Sequence, residues 1–395
     1  LASLAEGVSN IKNRLKSEDV DSAIDACRSL GARIEEEEGG MLTIHGAGGK
    51  IKPQKDPIDV GNSGTAARFA LSMAAMSDEP VTITGDEQTR KRPMMPLCHS
   101  LERLGVEIIS SDESFLPIRL KGPINGGTTA VDGTTSQFLS SLLLHTPFCR
   151  KKTTLRLDSL NEKPYVEMTL AWLEKLGVKV LRNGYSEFTV PPNQRIKGFT
   201  ATVPADFSSA TFFLALSAME GAELELEGLD MDDTQGDKQV IEFLKEMGAD
   251  IECGKTIRIK GRKLQGKNLD LNSTPDALPA MAVVGCLAGG TTRLVNVPQA
   301  RIKETDRISV MAAELKKMGA DIEEEKDGLV IRQSALKGAE VNGHGDHRVV
   351  MSLAVAGLAA EGTTTVSTAE AIGITFPNFV ELMRSVGADM EMQGE

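Results

Sequence analysis

Six short stretches decide the fold: RSLGARIE (28–35), ERLGVEII (102–109), EKLGVKVL (174–181), KEMGADIE (245–252), KKMGADIE (316–323) and RSVGADME (384–391). Each joins the end of a helix-like run to an apolar residue and a glycine, then alternates apolar and polar residues. The glycines are Gly31, Gly105, Gly177, Gly248, Gly319 and Gly387, and they follow one another at nearly equal intervals. Glycine in that place suits the left-handed residue that closes a helix, and the alternation that follows predicts a strand. Six copies at so regular a spacing make this an internal repeat.

A second helix-like run precedes most of these stretches: GTAARFALSMAAM, SQFLSSLLLH, SSATFFLALSAM, PDALPAMAVVGCLAGG and DHRVVMSLAVAGLAA. All five are apolar nearly all round, which predicts helices buried beneath sheets. Their starts carry the unusual residues. Thr65, Ser136, Ser209, Asp276 and His347 mark equivalent positions, each about one repeat length from the last. One period before Thr65 falls upstream of Leu1, and the opening LASLAEG matches the tail of such a helix (compare GLAAEG, 357–362). The first unit is therefore expected to be cut short, with the chain starting inside its buried helix. Six units suit two domains of three, 1–202 and 203–395, with ligands expected in the cleft between them.

Composition excludes several classes of function. The 395 residues carry 44 Lys and Arg against 56 Asp and Glu, a net charge of −12. Broad nucleic-acid or anionic-membrane surfaces need a basic excess. Aromatic residues are only 4%, too few for base-stacking platforms. The longest apolar stretch, 277–290, is too short to cross about 30 Å of hydrocarbon. Cys27, Cys98, Cys149, Cys253 and Cys286 are scattered and form no CxxC, so neither a disulfide framework nor a zinc site is expected. A reducing cytoplasm suits them.

Several motifs carry chemistry. GNSGTAAR (61–68) brings Gly64 to a helix start with Arg68 one turn in, an arrangement that favours an anion. GAGGK (46–50) lacks the spacing of a phosphate loop and is expected to be a hairpin turn. TRKRP (89–93) sets three cations before a helix whose first position suits Pro93. In RIKETDR (301–307), helical spacing would place Lys303 and Arg307 on one face and turn Glu304 away. HGDHR (344–348) has no third ligand at convincing spacing, so no metal is expected. Asp276 opens an otherwise apolar helix, where it is either a cap or a general base.

Taken in order, GNSGTAAR, TSQF, KPY, QGD, PDA, RIKETDR, GDHR and TFPNF resemble the 5-enolpyruvylshikimate-3-phosphate synthases over residues 1–386. The resemblance implies an α/β (α+β) fold of two domains, each with three βαβαββ units around buried helices, an inside-out α/β barrel. It implies a cytoplasmic, monomeric transferase of aromatic amino-acid biosynthesis without cofactor, metal, nucleic-acid or membrane partner. The substrates implied are phosphoenolpyruvate and shikimate 3-phosphate. By the same resemblance Gly64, Arg92, Gln137, Arg307 and Arg348 bind phosphoenolpyruvate. Thr135, Ser136, Gln137, Tyr165, Asp276, Gln299 and Lys303 bind shikimate 3-phosphate. Asp276 takes the 5-hydroxyl proton, Glu304 protonates the methylene carbon, and Arg68 and His347 support them.

Three departures from that family stand out. Its Lys-Ser…Arg segment is expected upstream of Leu1, so the chain as given is expected to be impaired. Glu162 replaces a serine on the shikimate phosphate, where its carboxylate repels the ligand unless turned away or paired, for instance with Lys163. Ile374 replaces a lysine before TFP. Three alternatives remain open: a UDP-N-acetylglucosamine enolpyruvyl transferase, an RNA-end cyclase and a non-catalytic binding remnant. The first needs a reactive cysteine near TRKRP, where only Cys98 lies, and the acidic charge disfavours the second.

Overall fold

The structure, a computed structural model, describes every residue except Glu38, Glu113, Ser114 and Glu395. The chain divides into two compact units, Leu1–Val203 and Pro204–Glu395. The first opens with β1 (Glu6–Lys12), α1 (Glu18–Ser29), β2 (Arg33–Glu36) and β3 (Leu42–Ala47). It continues with β4 (Ile58–Asp59), α2 (Gly64–Ala74), β5 (Val81–Thr84), α3 (Glu87–Arg90), α4 (Met95–Arg103), β6 (Glu107–Asp112) and β7 (Phe115–Lys121). Then come β8 (Gly127–Ala130), α5 (Ser136–His145), β9 (Thr153–Arg156), α6 (Lys163–Lys175), β10 (Leu181–Asn183), β11 (Glu187–Val190) and β12 (Thr200–Thr202).

Three sheets of one design result: β12-β1-β3-β2, β4-β5-β7-β6 and β8-β9-β11-β10. In each, the first pair is parallel and the other two pairs are antiparallel. The first sheet is completed by the last strand of the unit, since β12 pairs Thr200 with Asn10.

The second unit begins with α7 (Phe207–Ser217), β13 (Glu223–Leu226), α8 (Gln239–Glu246), β14 (Asp250–Cys253) and β15 (Ile257–Lys260). Next are β16 (Asn268–Asp270), α9 (Leu278–Leu287), β17 (Thr291–Val295), α10 (Arg307–Lys317), β18 (Asp321–Glu325) and β19 (Gly328–Arg332). The last group is β20 (Glu340–Asn342), α11 (His347–Ala359), β21 (Thr365–Ser367) and α12 (Phe379–Ser385). Its sheets are β13-β15-β14, β16-β17-β19-β18 and β20-β21, so only the middle one repeats the four-stranded design.

The repeat read from the sequence is a repeat of structure. All six glycines follow a helix end and take φ between +77° and +106°, a region a side chain disfavours. Space adds to the demand at Gly31, where a Cβ would meet the Lys52 carbonyl oxygen at 2.8 Å. Two strand expectations need correction. The third copy becomes a strand only at Leu181, and the described residues after Gly387 carry none. GAGGK is likewise no hairpin, because β3 and the next strand, β4, lie in different sheets.

Burial explains the apolar runs. In the first unit α2 and α5 pack on each other beneath the sheets, and in the second α7, α9 and α11 pack mutually. Every residue of α9 from Leu278 to Cys286 is buried. The first unit also carries a half-open apolar pocket of about 360 Å³ beside α1 and α2, lined by Leu4, Ile24, Phe69, Met73 and Leu144.

Candidate functional site

In the second unit the starts of three segments meet around one guanidinium. Arg307, 1% exposed, begins α10. Its Nε and Nη2 donate to the two oxygens of Asp346 at 2.8 and 3.1 Å, a fork on a fork. Its Nη1 donates to Asp276 at 2.8 Å and its Nη2 to Glu304 at 2.6 Å. Asp346 is held in turn as the N-cap of α11, accepting from the backbone N–H of Arg348 at 2.9 Å. Thr305 donates its hydroxyl to Asp346 at 3.0 Å.

Asp276 sits in a single 3-10 turn, Pro275–Ala277, just before α9. Besides Arg307 it faces Lys303 at 3.6 Å and Arg348 at 3.3 Å. Burial drives its carboxyl pKa upward, but Arg348, Lys303 and Arg307 outweigh that and hold it well below the usual carboxylate range. Burial likewise works against the charge on Arg307, and Asp346, Glu304 and Asp276 more than restore it. His347, the first residue of α11, is pushed down to about 4 by burial, against the pull of Glu304 and Asp346. It is therefore neutral near pH 7. Gln299 is 1% exposed and donates to the Asn272 carbonyl at 2.9 Å. Its Oε1 is buried without a hydrogen-bond partner among the described residues.

In the first unit the starts of α2 and α5 are joined through side chains. Ser63 caps α2 by accepting from Ala66 N–H, which leaves Gly64 at the opening turn. Arg68 donates to Gln137 Oε1 at 2.5 Å, and Gln137 Nε2 donates to Thr65 at 3.0 Å. Arg92 is 6% exposed and donates to Asn62, whose amide is fixed by Asp86 and Gln88. A Cβ on Gly64 would lie 2.3 Å from Arg92 Nη1 and 3.1 Å from Arg68 Nη1, so both guanidinium ends would have to move aside.

At the start of α5, Thr135 is the N-cap and Ser136 the first helical residue. One oxygen of Glu162 accepts from Thr135 Oγ1 at 3.1 Å, Ser136 N–H at 3.0 Å and Ser136 Oγ at 2.8 Å. The carboxylate is thus neither turned away nor paired with Lys163, whose ammonium lies 5.1 Å over the ring of Tyr185. Tyr165 is half-buried in the first turn of α6, its carbonyl accepting from Thr169.

Local geometry corrects two further expectations. Residues 303–306 are not helical: Asp306 caps α10 by accepting from Ser309 N–H at 3.1 Å, and the helix starts only at Arg307. Glu304, three residues before Arg307, meets its guanidinium there at 2.6 Å. Pro93 lies in the link between α3 and α4, and Pro96 holds the early helical position instead. Ile374 is 9% exposed within the second unit's core. Sequence reasoning did not assign Asp346, Asn62 or Asp86 a part in the site. The signal available was an Asp immediately before a helix start, seen at Asp86 and Asp346.

Comparison with known proteins gives one family. The family model described as EPSP synthase (3-phosphoshikimate 1-carboxyvinyltransferase) matches residues 1–383. The 3-phosphoshikimate 1-carboxyvinyltransferase of Acetivibrio thermocellus is 51% identical over 391 residues, covering 98% of this chain and 92% of that protein. Its namesake from Ruminiclostridium cellulolyticum is 50% identical over 394 residues, covering 99% and 93%. Among solved structures, an EPSP synthase from Acinetobacter baumannii aligns with a TM-score of 0.82 at 30% identity, covering all of this chain and 93% of that one.

Proposed function

The chain belongs to the EPSP synthase (3-phosphoshikimate 1-carboxyvinyltransferase) family, and from that premise we propose that it transfers the enolpyruvyl group of phosphoenolpyruvate to the 5-hydroxyl of shikimate 3-phosphate, releasing phosphate. The observation that carries this reading is the Asp276 carboxylate, ionised and ringed by Lys303, Arg307 and Arg348.

In this reading Gly64, Arg92, Gln137, Arg307 and Arg348 take phosphoenolpyruvate, and Thr135, Ser136, Gln137, Tyr165, Gln299 and Lys303 take shikimate 3-phosphate. Asp276 accepts the 5-hydroxyl proton while that oxygen bonds to C2 of phosphoenolpyruvate. Glu304, taking up a proton from water as the substrates draw Arg307 away, donates it to C3, making it a methyl group. The tetrahedral adduct then loses phosphate from C2, which carries off the proton held by Asp276, while the methyl returns a proton to Glu304, and the double bond is restored. Each step is a proton transfer or a carbon–oxygen bond change. A carboxylate surrounded by three cations is a weak base. Anionic substrates draw those cations to themselves and weaken their hold, so Asp276 becomes more basic when it is needed. Arg68 orients Gln137, and His347 stays neutral beside Glu304.

Cys98 speaks against the UDP-N-acetylglucosamine alternative. It is fully buried in α4, where burial with Glu102 pushes its thiol up to about 12. Such a thiol is not nucleophilic near neutrality. The scattered free thiols support a cytoplasmic setting, and a monomer is the state proposed. The test is release of inorganic phosphate with substrate pairs. Release should require phosphoenolpyruvate and shikimate 3-phosphate together. Release with UDP-N-acetylglucosamine in place of shikimate 3-phosphate would overturn the reading.

A further inference from the structure

Glu162 is an N-cap residue whose side chain does not cap its own helix. It precedes α6 with φ 56° and ψ 39°. That left-handed conformation is costly for a residue bearing a Cβ. It accompanies a carboxylate that is buried, with the residue only 2% exposed, and seated on a different helix. A single oxygen collects the Thr135 hydroxyl, the Ser136 hydroxyl and the Ser136 N–H at the positive end of α5. Three donors converging on one oxygen at a helix N-terminus form an oxyanion seat, and here the protein fills the seat itself.

We propose that Glu162 is a built-in competitor for the phosphate group of shikimate 3-phosphate, occupying its donors until that phosphate displaces it. This rests on the assignment of Thr135 and Ser136 to shikimate 3-phosphate made above. The two anions cannot share the seat, because they need the same hydrogens and repel each other at contact distance. A phosphate dianion carries more charge and more acceptor oxygens than a carboxylate, so it can win the exchange. A ligand without phosphate cannot. Glu162 therefore sets a threshold: it lowers the affinity for shikimate 3-phosphate and leaves that for unphosphorylated shikimate nearly untouched.

A purely structural role makes a different forecast. If Glu162 merely caps α5 from outside, its removal loosens that helix and weakens or preserves ligand binding. The experiment measures dissociation constants for shikimate 3-phosphate and for shikimate by calorimetry, on the wild type, E162S and the near-isosteric E162Q, with thermal midpoints beside them. E162S should tighten shikimate 3-phosphate by about tenfold, the order expected when a charged hydrogen-bonded rival is removed. E162Q should fall between, and shikimate should change less than twofold in either variant. Unchanged or weaker binding of shikimate 3-phosphate in both variants, with the wild type still binding it, overturns the proposal and leaves the substrate reading intact. Equal tightening of both ligands also overturns it, since the effect would not concern the phosphate. Absence of shikimate 3-phosphate binding and turnover in all three proteins overturns the substrate reading, and this proposal with it.

Discussion

The two units hold their acidic side chains in opposite ways. In the second unit Asp276, Glu304 and Asp346 surround Arg307, with Lys303 and Arg348 alongside, so three carboxylates meet three cations. In the first unit the Glu162 carboxylate rests on two hydroxyls and an amide. The difference matters when a substrate anion arrives. Where cations hold the carboxylates, the newcomer redistributes charge and leaves the frame standing. Where a carboxylate already sits on the donors that the newcomer needs, the newcomer must evict it. A paired cluster is thus suited to tuning basicity, and a neutral seat to selecting a phosphate.

The sharpest way to break this comparison is to remove Arg307. Arg307→Ala leaves Asp346 fully buried beside Asp276 and Glu304 without their shared cation. Breaking such a pair costs roughly 3–5 kcal/mol. Turnover should vanish and the second unit should melt at lower temperature. Arg307→Lys keeps the charge but loses the two-pronged grip on Asp346, so it should fall between. A variant Arg307→Ala as stable as the wild type would show that the carboxylates do not depend on it.

Gly64→Ala tests the first unit at smaller amplitude. The added methyl must push Arg92 and Arg68 aside. Displacing binding groups by about an ångström should lower kcat/KM for phosphoenolpyruvate by about 10- to 100-fold, with the thermal midpoint nearly unchanged. An unaltered kcat/KM would remove Gly64 and Arg92 from the account.

The smallest effect is shared by both units. His145 in α5 and His347 in α11 are each buried and pushed down to about 4. Below about pH 6.5 the unfolded chain binds protons that these folded histidines refuse, so their contribution to stability falls as pH drops toward 4. Denaturant midpoints at pH 7 and pH 5 should differ in that direction, and His145→Gln should reduce the difference. A midpoint that rises toward pH 5 would contradict the assignment.

The repeat was legible because it rests on backbone geometry that only glycine meets cheaply, at Gly31 as at Gly319. The buried helices were legible because their apolar surface runs all round, as in α9. The site was less so. RIKETDR looks helical in its spacing, yet Asp306 spends its side chain on Ser309 N–H and delays the helix to Arg307. That cap leaves 303–306 outside the helix, yet Glu304 still reaches Arg307, a contact that their three-residue spacing allows in a helix as well. Likewise no pattern in LNEKPY reveals that Glu162 turns left-handed and reaches α5, since its partners Thr135 and Ser136 lie far earlier in the chain. Apolar periodicity records which face is buried. It is silent about which long side chain bridges two helix starts.

The most direct test of the central claim compares phosphate release by the wild type and Asp276→Asn with both substrates present. The substitution keeps the shape of Asp276 and removes its basicity. Turnover should fall by about 10²- to 10⁴-fold, the range for loss of a general base, in a protein that still folds. Equal rates in the two proteins would contradict the account, because the 5-hydroxyl proton would then leave by another route.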